Sequence, residues 1–396
     1  MGSPKPTTNN QQPTTAPEGR SRPRIAIIFG TRPEAVKMAP VVQSFKAENR
    51  LETIVIVTAQ HREMLDQVMA TFDIGADHDL DIMSPGQSLT TITNRVLTGI
   101  DDLLKKTAPD MILVQGDTTT VFASSLAAFY NRVAVGHVEA GLRTDDKYNP
   151  FPEEINRRLT GVMADLHFAP TTVSRDNLLR EGVPAERIMV TGNTVIDSLM
   201  MVAGRPYSFA GGELARLEEH PGRVVLITAH RRENWGAPMQ SIARALARLA
   251  HRYPDTLFVF PMHRNPEVRG VVTGELDDLA NVMLIEPQDY EPFVHLMKRS
   301  HLIITDSGGV QEEAPSLGIP VLVLRERTER PEAVDVGTVR LVGTDEENIF
   351  TQSVELMDDE EARRKMAGTA NPYGDGKSSE RILAEVMRYF NLEVVI

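Results

Sequence analysis

Short runs of β-branched and other apolar residues alternate along the chain with longer stretches in which apolar and polar residues are mixed. Six such runs occupy the first half of the chain: IAIIF (25–29), TIVIVT (53–58), MILVQG (111–116), VAVGHVE (133–139), LHFAP (166–170) and RIMVTGN (187–193). A strand that is apolar at successive positions is buried on both faces, which is typical of a parallel sheet covered by helices. The pattern therefore predicts an open α/β domain.

A second series of runs follows a break at 203–222 that contains Gly and Pro and no strand pattern. The runs are VVLITAH (224–230), TLFVFPMH (256–263), VMLIE (282–286), HLIIT (301–305), VLVL (321–324) and VRLVG (339–343). Two α/β domains are the simplest interpretation, and we place them at residues 24–200 and 201–372. Residues 373–396 include a helical pattern that is expected to pack back across the domain junction.

The composition agrees with a globular protein that carries a polar N-terminal tail. The chain has 396 residues, a length that favours two domains. Residues 1–23 are dominated by Pro, Thr, Asn and Gln and are predicted to be disordered. No apolar run approaches the roughly 20 residues of a membrane helix, and the N-terminus lacks an apolar signal core. We therefore expect a cytoplasmic protein without a membrane partner.

Charge and cysteine content argue against several classes of protein. The chain has 42 Lys and Arg against 55 Asp and Glu, and its net charge of −13 disfavours broad attraction to nucleic acid. The absence of cysteine removes disulfides, thiolate nucleophiles, zinc–thiolate sites and iron–sulfur clusters. Because the sequence also lacks H-E-x-x-H and clustered histidines, no metal is expected.

Polar turns follow several of the predicted strands, where the ligand crevice of a parallel sheet lies. After the first strand, FGTRPEAVK (29–37) places Arg32 and Lys37 beside the start of a helix that has Pro33 at its first position. Two cations at a helix N-terminus suit phosphate oxygens. The alternative is a glycine turn with solvated charges.

A second polar turn, TDSGGVQEEAPSLGIP (305–320), has features suited to a nucleotide. Ser307, Gly308 and Gly309 are small enough to let a diphosphate approach the backbone, and the carboxylate of Glu313 can accept from ribose hydroxyls. The sequence contains neither G-x-G-x-x-G after a strand nor G-x-x-x-x-G-K-[ST], so dinucleotide and P-loop sites are disfavoured. An ordinary turn with a surface Glu is the alternative.

Acidic residues and one histidine lie at further strand ends. Asp117 and Glu139 directly follow apolar strands, and Glu153 lies in NPFPEEINRR (149–158) beside Glu154. Such carboxylates can act as general acids or bases when burial tunes them, although caps and first-turn helix acids explain them equally well. His230 follows a strand in ITAHRRENWG (227–236) and can serve as a cation or proton donor.

Taken together, the motifs resemble those of the non-hydrolysing UDP-N-acetylglucosamine 2-epimerases, in the order of that family. They are FGTRPEAVKMAP, TAQHREMLDQV, QGDTTT, GHVEAGLRT, PFPEEINRRLT, AHRREN and DSGGVQEEAPSLGIPVLVLRERTERPEA, and the resemblance spans residues 24–390. It implies two Rossmann-like domains facing a central cleft, as in GT-B glycosyltransferases, with the nucleotide held mainly by the second domain. It also implies a homodimer and a UDP-N-acetylhexosamine substrate, with no cofactor.

The resemblance assigns roles to individual residues. The catalytic carboxylates would be Asp117, Glu139 and Glu153. The groups that contact UDP would be Arg32, Lys37, His230, Ser307, Gly308, Gly309, Glu313 and Arg330, with Gln288 and Phe293 near the uracil. In this family a second substrate molecule can act as an activator beside the loop that corresponds to Gln60–Glu63. The sequence leaves such activation open, because Gly86 stands where some members have arginine.

The chemistry of C2 inversion favours elimination of UDP. The C2 hydrogen is not adjacent to a carbonyl group, so its removal alone leaves an unstabilised carbanion. Expulsion of UDP to form a glycal, followed by reprotonation and re-addition, needs a base, a proton donor and cations for the diphosphate. Close alternatives are hydrolysing epimerases and epimerases of UDP-2,3-diacetamido sugars. More distant ones are a GT-B glycosyltransferase and a non-catalytic nucleotide-sugar binding protein.

Overall fold

The computed structural model describes residues 22–59, 62–84 and 86–394, apart from the side chains of Arg62 and Glu63. The described chain forms two compact units. The first unit comprises the described residues of Met1–Thr194 and Lys377–Ile396, and the second comprises Val195–Gly376. The C-terminal helix belongs to the first unit.

The first unit alternates strands and helices. Its elements are β1 (Arg24–Phe29), α1 (Arg32–Ala47), β2 (Glu52–Val57), α2 (Arg62–Thr71), β3 (His78–Asp79), α3 (Leu89–Thr107), β4 (Met111–Gln115), α4 (Thr119–Tyr130), β5 (Ala134–Val138), α5 (Glu153–Met163), β6 (Leu166–Ala169), α6 (Thr172–Arg180) and β7 (Ile188–Val190).

The sheet of this unit has the strand order β3-β2-β1-β4-β5-β6-β7, and its strands pair in parallel. The six apolar runs of the first half of the sequence form strands, so the predicted parallel sheet is confirmed. The two-residue strand β3 was not predicted. It consists of His78 and Asp79, which pair with Ile56 and Val57, and two polar residues carry no hydrophobic pattern.

The second unit repeats this architecture. Its elements are α7 (Thr194–Ala203), α8 (Arg216–Glu219), β8 (Val224–Thr228), α9 (Ala237–Arg252), β9 (Leu257–Pro261), α10 (Pro266–Leu276), β10 (Val282–Ile285), α11 (Tyr290–Arg299), β11 (Leu302–Thr305), α12 (Gly308–Glu313), β12 (Val321–Val323), α13 (Pro331–Asp335), β13 (Val339–Leu341), α14 (Glu346–Asp358) and α15 (Glu360–Ala367). The C-terminal helix α16 (Ser378–Tyr389) then packs against α1 of the first unit.

The second sheet has the parallel strand order β10-β9-β8-β11-β12-β13. In each sheet the chain therefore reverses its direction of strand addition at one place, between β1 and β4 in the first unit and between β8 and β11 in the second. Ligands of open parallel sheets bind beyond the carboxyl ends of the strands at such a switch point.

Strand register brings the predicted carboxylates to one edge of the first sheet. Gln115, at the end of β4, pairs with Val138, at the end of β5. Glu139 directly follows Val138, and Asp117 follows Gln115 after one glycine, so both leave the sheet at its carboxyl edge. Gly136 allows close packing below them, because a Cβ atom there would lie 2.5 Å from Leu113 Cδ2.

Part of the predicted N-terminal tail packs on the first unit. Arg22 and Pro23 belong to the predicted tail but contact the first unit: Arg22 Nη1 donates to Asn49 O over 3.0 Å, and Glu52 N donates to Pro23 O over 2.8 Å. The rest of that tail lies outside the described residues, as do Gln60 and His61. In the part of the chain that is described, no helix is long and apolar enough to cross a membrane.

Candidate active site

A buried carboxylate connects the two loops of the first switch point. Glu34 is 2% exposed and accepts hydrogen bonds from Gly30 N (3.1 Å) and Thr31 N (2.7 Å) in the loop after β1. Its other oxygen accepts from Thr118 Oγ1, in the loop after β4, over 2.8 Å. Thr31 in turn caps α1 and completes a capping box with Glu34. The loops that frame the site are therefore fixed to each other.

Burial governs the titration of Glu34. Loss of water around the carboxylate raises its pKa above the ordinary value, and hydrogen bonds from Thr31, Thr118 and the Gly30 backbone oppose that shift. The network therefore only partly compensates for placing a carboxylate in the interior.

Glu139 is the most heavily bonded of the predicted catalytic residues. Its side chain accepts from Lys37 Nζ over 2.6 Å and from Asn193 Nδ2 over 2.9 Å, and it also accepts from Gln115 Nε2. The backbone of Glu139 is left-handed, with φ at 63°. That conformation costs a non-glycine residue about 1–2 kcal/mol, and the three donors hold the carboxylate in this orientation.

Asp117 lies in a different electrostatic environment. Arg157 Nη2 donates to Asp117 Oδ2, and Asn156 Nδ2 donates to the backbone carbonyl of Asp117 over 3.0 Å. Burial raises the pKa of Asp117, the nearby charge of Glu139 adds to that rise, and Arg157 and Lys37 oppose it. Two neighbouring carboxylates with different partners can therefore differ in protonation.

The structure separates Glu153 from Glu154. Glu154 is fully buried and binds Arg158 Nε over 2.9 Å and Arg157 Nη1 over 3.3 Å, so its role in α5 is structural. Glu153, the first residue of α5, is half-buried. Within the described residues, neither its carboxylate nor the guanidinium of Arg32 at the start of α1 has a hydrogen-bonding or ionic partner.

A buried carboxylate also connects the two loops of the second switch point, and sequence reasoning did not identify it. Asp306 follows β11 and has no exposed surface. Its oxygens accept from the backbone N–H groups of His230 (2.9 Å) and Arg231 (2.9 Å) and from Asn234 Nδ2 (2.9 Å), all in the loop after β8. His230 Nδ1 lies 3.3 Å from Asp306 Oδ1.

The predicted diphosphate turn adjoins Asp306. Ser307 N donates to Thr305 Oγ1 over 2.9 Å, and the short helix α12 begins at Gly308. The guanidinium of Arg330 covers Gly308 so closely that a Cβ atom there would lie 2.5 Å from Nη1. Glu312 accepts from Arg330 Nε over 2.5 Å and fixes the guanidinium in this position. The structure thus brings Ser307, Gly308 and Arg330 together.

The other residues of the second unit that were predicted to contact UDP lie farther apart along the chain. Gly309 and Glu313 lie in α12, where Glu313 is buried. Gln288 and Phe293 are half-buried, and they flank the start of α11. Gln288 Nε2 donates to Glu286 O over 2.8 Å.

Sequence reasoning assigned no role to several residues of these networks, although Glu34 and Arg157 lie inside the quoted motifs. Glu34, Arg157 and Asn193 act through distant partners that only the folded chain supplies. Asp306 had a usable signal, because an acidic residue directly after an apolar strand is the same pattern that singled out Asp117. Among the residues with described positions, no group of His, Asp and Glu side chains is arranged to hold a metal ion.

Comparison with known proteins decides the family. A sequence model described as UDP-N-acetylglucosamine 2-epimerase matches residues 43–387. The UDP-N-acetylglucosamine 2-epimerase of Salmonella typhimurium strain LT2 is 53% identical over 371 residues, which cover 92% of this chain and 99% of that protein. The chain belongs to this family. It is therefore an enzyme, as the sequence motifs predicted.

Solved structures agree with this epimerase assignment and with the predicted fold. The crystal structure of UDP-GlcNAc 2-epimerase from Neisseria meningitidis bound to UDP-GlcNAc is 50% identical, with a TM-score of 0.81 over 92% of this chain and 100% of that chain. A glycosyltransferase from Rickettsia africae has a TM-score of 0.63 at 14% identity, over 94% of this chain and 100% of that chain. The second likeness concerns the fold alone, and the predicted GT-B-like architecture is confirmed.

The raised pKa of Glu34 predicts how substitution changes stability with pH. Because the folded state favours the protonated form, the contribution of Glu34 to stability is largest below its unfolded pKa and is lost as pH rises through the folded pKa. Gln cannot ionise and keeps both an acceptor and a donor. We expect the melting temperature of Glu34→Gln, relative to the natural chain, to increase from about pH 4 to about pH 7.

The control for this measurement is Glu186→Gln, which removes an exposed carboxylate from the same unit. Its melting temperature should follow that of the natural chain at every pH. A Glu34→Gln difference that shrinks with rising pH would show that the hydrogen bonds to Glu34 outweigh the effect of burial.

Proposed function

We propose that this chain interconverts UDP-N-acetylglucosamine and UDP-N-acetylmannosamine without hydrolysis, by eliminating UDP and adding it back to a 2-acetamidoglucal. Family membership and the relative that binds UDP-GlcNAc support the substrate. The observation that carries the mechanism is the pair of carboxylates, Asp117 and Glu139, that leave neighbouring strands at one sheet edge with different charged partners.

The reaction requires proton transfer on both faces of the sugar ring. Inversion at C2 means that the proton is removed from one face and delivered to the other, so one carboxylate cannot easily serve both. In a reversible reaction, the group that donates in one direction removes the proton in the other. A carboxylate in an ion pair with Lys37 and one whose pKa is raised by burial are suited to this exchange of roles.

Glu153 is proposed as the third catalytic carboxylate. It enters from the start of α5, whereas Asp117 and Glu139 follow β4 and β5, so it can approach a bound sugar from another direction. Its carboxylate is not committed to an ion pair within the described residues. That freedom distinguishes it from Glu154, whose charge is neutralised by two arginines.

We propose that the second unit binds UDP through the turn at 307–309. The Arg330 guanidinium above Gly308 would contact the diphosphate, with His230 as a further cation, and Glu313 would accept from the ribose hydroxyls. Gln288 and Phe293 would contact the uracil. Arg32 and Lys37 are the additional cations that the family resemblance assigns to UDP, and retention of UDP favours its re-addition over its loss.

Incubation with UDP-N-acetylglucosamine in deuterated water tests the mechanism. Elimination and reprotonation place solvent hydrogen at C2, so UDP-N-acetylmannosamine should form with deuterium at that carbon. Mass spectrometry and NMR would identify the products. Retention of the original C2 hydrogen would contradict elimination, and release of free N-acetylmannosamine with UDP would show a hydrolysing enzyme.

Replacement of each carboxylate by its amide tests the site assignment. We expect Asp117→Asn, Glu139→Gln and Glu153→Gln each to lower kcat by about 10²-fold or more, because general acid–base catalysis is lost. UDP affinity should change little, and at least one variant should release 2-acetamidoglucal. Glu186→Gln is the matched control and should retain the kcat of the natural chain. A kcat near that of the control would remove the residue concerned from the proposed site.

Two substitutions, one that removes the Arg330 guanidinium and one that displaces it, test the nucleotide site. Arg330→Ala should weaken UDP binding by about 10-fold or more, because a charge-assisted hydrogen bond contributes about 1.5–3 kcal/mol. Gly308→Ala should also weaken binding, since its methyl group occupies the place of the guanidinium. Calorimetry measures both affinities.

The control is Gly270→Ala on α10, where an added Cβ atom meets nothing within 4 Å. It should leave UDP affinity unchanged. If UDP affinity were also unchanged in Arg330→Ala and Gly308→Ala, the nucleotide would not bind at the 307–309 turn. The proposed homodimer and cytoplasmic location stay predictions.

A further inference from the structure

Asp306 and His230 form a carboxylate–imidazole pair at the second switch point. Asp306 is completely buried and bound by the N–H groups of His230 and Arg231 and by the Asn234 amide, so its position is fixed from several sides. These donors satisfy the buried carboxylate oxygens and hold them in place. The Asp306 carboxylate is therefore held rigidly against a histidine that is partly open to solvent.

The geometry determines which ring nitrogen faces outward. Nδ1 of His230 lies 3.3 Å from Asp306 Oδ1, and the His230 side chain is 45% exposed. A carboxylate beside Nδ1 favours a proton on that nitrogen and orients the ring. Nε2 has no hydrogen-bond partner among the described residues. It is left to contact a ligand.

We propose that Asp306 is a positioning residue that enables His230 to take up a proton from solvent when a diphosphate binds, so that Nε2–H of the resulting imidazolium donates to a phosphate oxygen. The inference rests on the proposed binding of UDP by this unit. It adds to that proposal a protonation step and the residue that makes the step possible. Only a proton moves, from water to Nε2, and no covalent bond of the nucleotide changes.

The charges around His230 set the direction of the effect. Burial lowers the pKa of His230 below its usual 6.5, Asp306 opposes that fall, and Arg231 and the neighbouring His263 add to it. Arg231 is itself 3.8 Å from Glu329, and the rings of His230 and His263 are 6.3 Å apart. The unliganded imidazole is therefore mostly neutral near neutral pH.

An anion placed at Nε2 reverses this balance, because it stabilises the imidazolium. UDP binding then raises the pKa of His230. Between the pKa of the free and of the bound protein, each UDP bound is accompanied by proton uptake, and Kd rises with pH by up to about tenfold per unit. Below the free-state pKa, and again above the bound-state pKa, this dependence disappears.

Calorimetric titration with UDP in two buffers of different ionisation enthalpy measures the protons taken up. UDP also titrates, since its terminal phosphate has a pKa near about 6, so His230→Gln is the reference: the ionisation of UDP contributes equally to both proteins. We expect the natural chain to take up more protons per UDP than His230→Gln. The difference should lie between zero and one and should depend on pH.

Two further variants assign the effect to the pair. Asp306→Asn should show the lower proton uptake of His230→Gln, because the imidazolium has lost its carboxylate. His263→Gln removes the exposed neighbouring histidine that is not bound to Asp306, and it should keep the uptake of the natural chain. If His263→Gln abolished the uptake instead, the proton would belong to His263 and the inference would be wrong.

Histidine ¹⁵N NMR of the natural chain provides a measurement that does not depend on the folding of Asp306→Asn. The signals missing from His230→Gln identify His230. They should report a proton on Nδ1 alone in the free protein and on both nitrogens with UDP. UDP binding without any change at these nitrogens would overturn the inference while leaving the proposed nucleotide site intact. A natural chain that failed to bind UDP would instead refute the proposed function.

Discussion

A carboxylate that is buried away from water must be surrounded by hydrogen-bond donors, and this requirement organises both switch points of the molecule. Glu34 collects donors from the loops after β1 and β4. Asp306, which follows β11, collects them from the loop after β8. In each sheet the two strands that flank the switch point are neighbours, and hydrogen bonds to the buried acid join the loops that follow them. Asp117, His230 and Ser307 lie on those loops, and their positions depend on these two acids.

Different hydrogen-bonding and ionic partners also distinguish the candidate catalytic carboxylates from each other. Asp117 and Glu139 are chemically similar and leave adjacent strands, yet one has a guanidinium partner and the other an ammonium and two amides. Arg330 is likewise held over Gly308 by Glu312. Fixed partners of this kind lower the cost of reorganising charge during a reaction. The left-handed backbone of Glu139 is part of that fixed arrangement.

Sequence reasoning succeeded where a pattern repeats over many residues. Continuous apolar runs predicted the long strands of both sheets, because burial on two faces leaves a strong signal. The two-residue strand β3 left none. Among the candidate site residues, the expectation that ligands bind beyond the carboxyl ends of parallel strands singled out Asp117, Glu139, His230 and Ser307. Their roles stay predictions. The same expectation gave no means to choose between Glu153 and Glu154, which are adjacent in the sequence. In the fold, Glu153 is half-buried, whereas Glu154 is buried and paired with Arg158.

By itself, the sequence determined the architecture, the family resemblance and the residue types available for catalysis, since these depend on local periodicity and on motifs. Only the tertiary structure decided the partners: Asn193 with Glu139, Arg157 with Asp117, and Asp306 with His230. Each pair joins residues distant in sequence. Which acid is buried, neutralised or left free follows from strand register and from the direction of each side chain, and these arise when the whole sheet assembles.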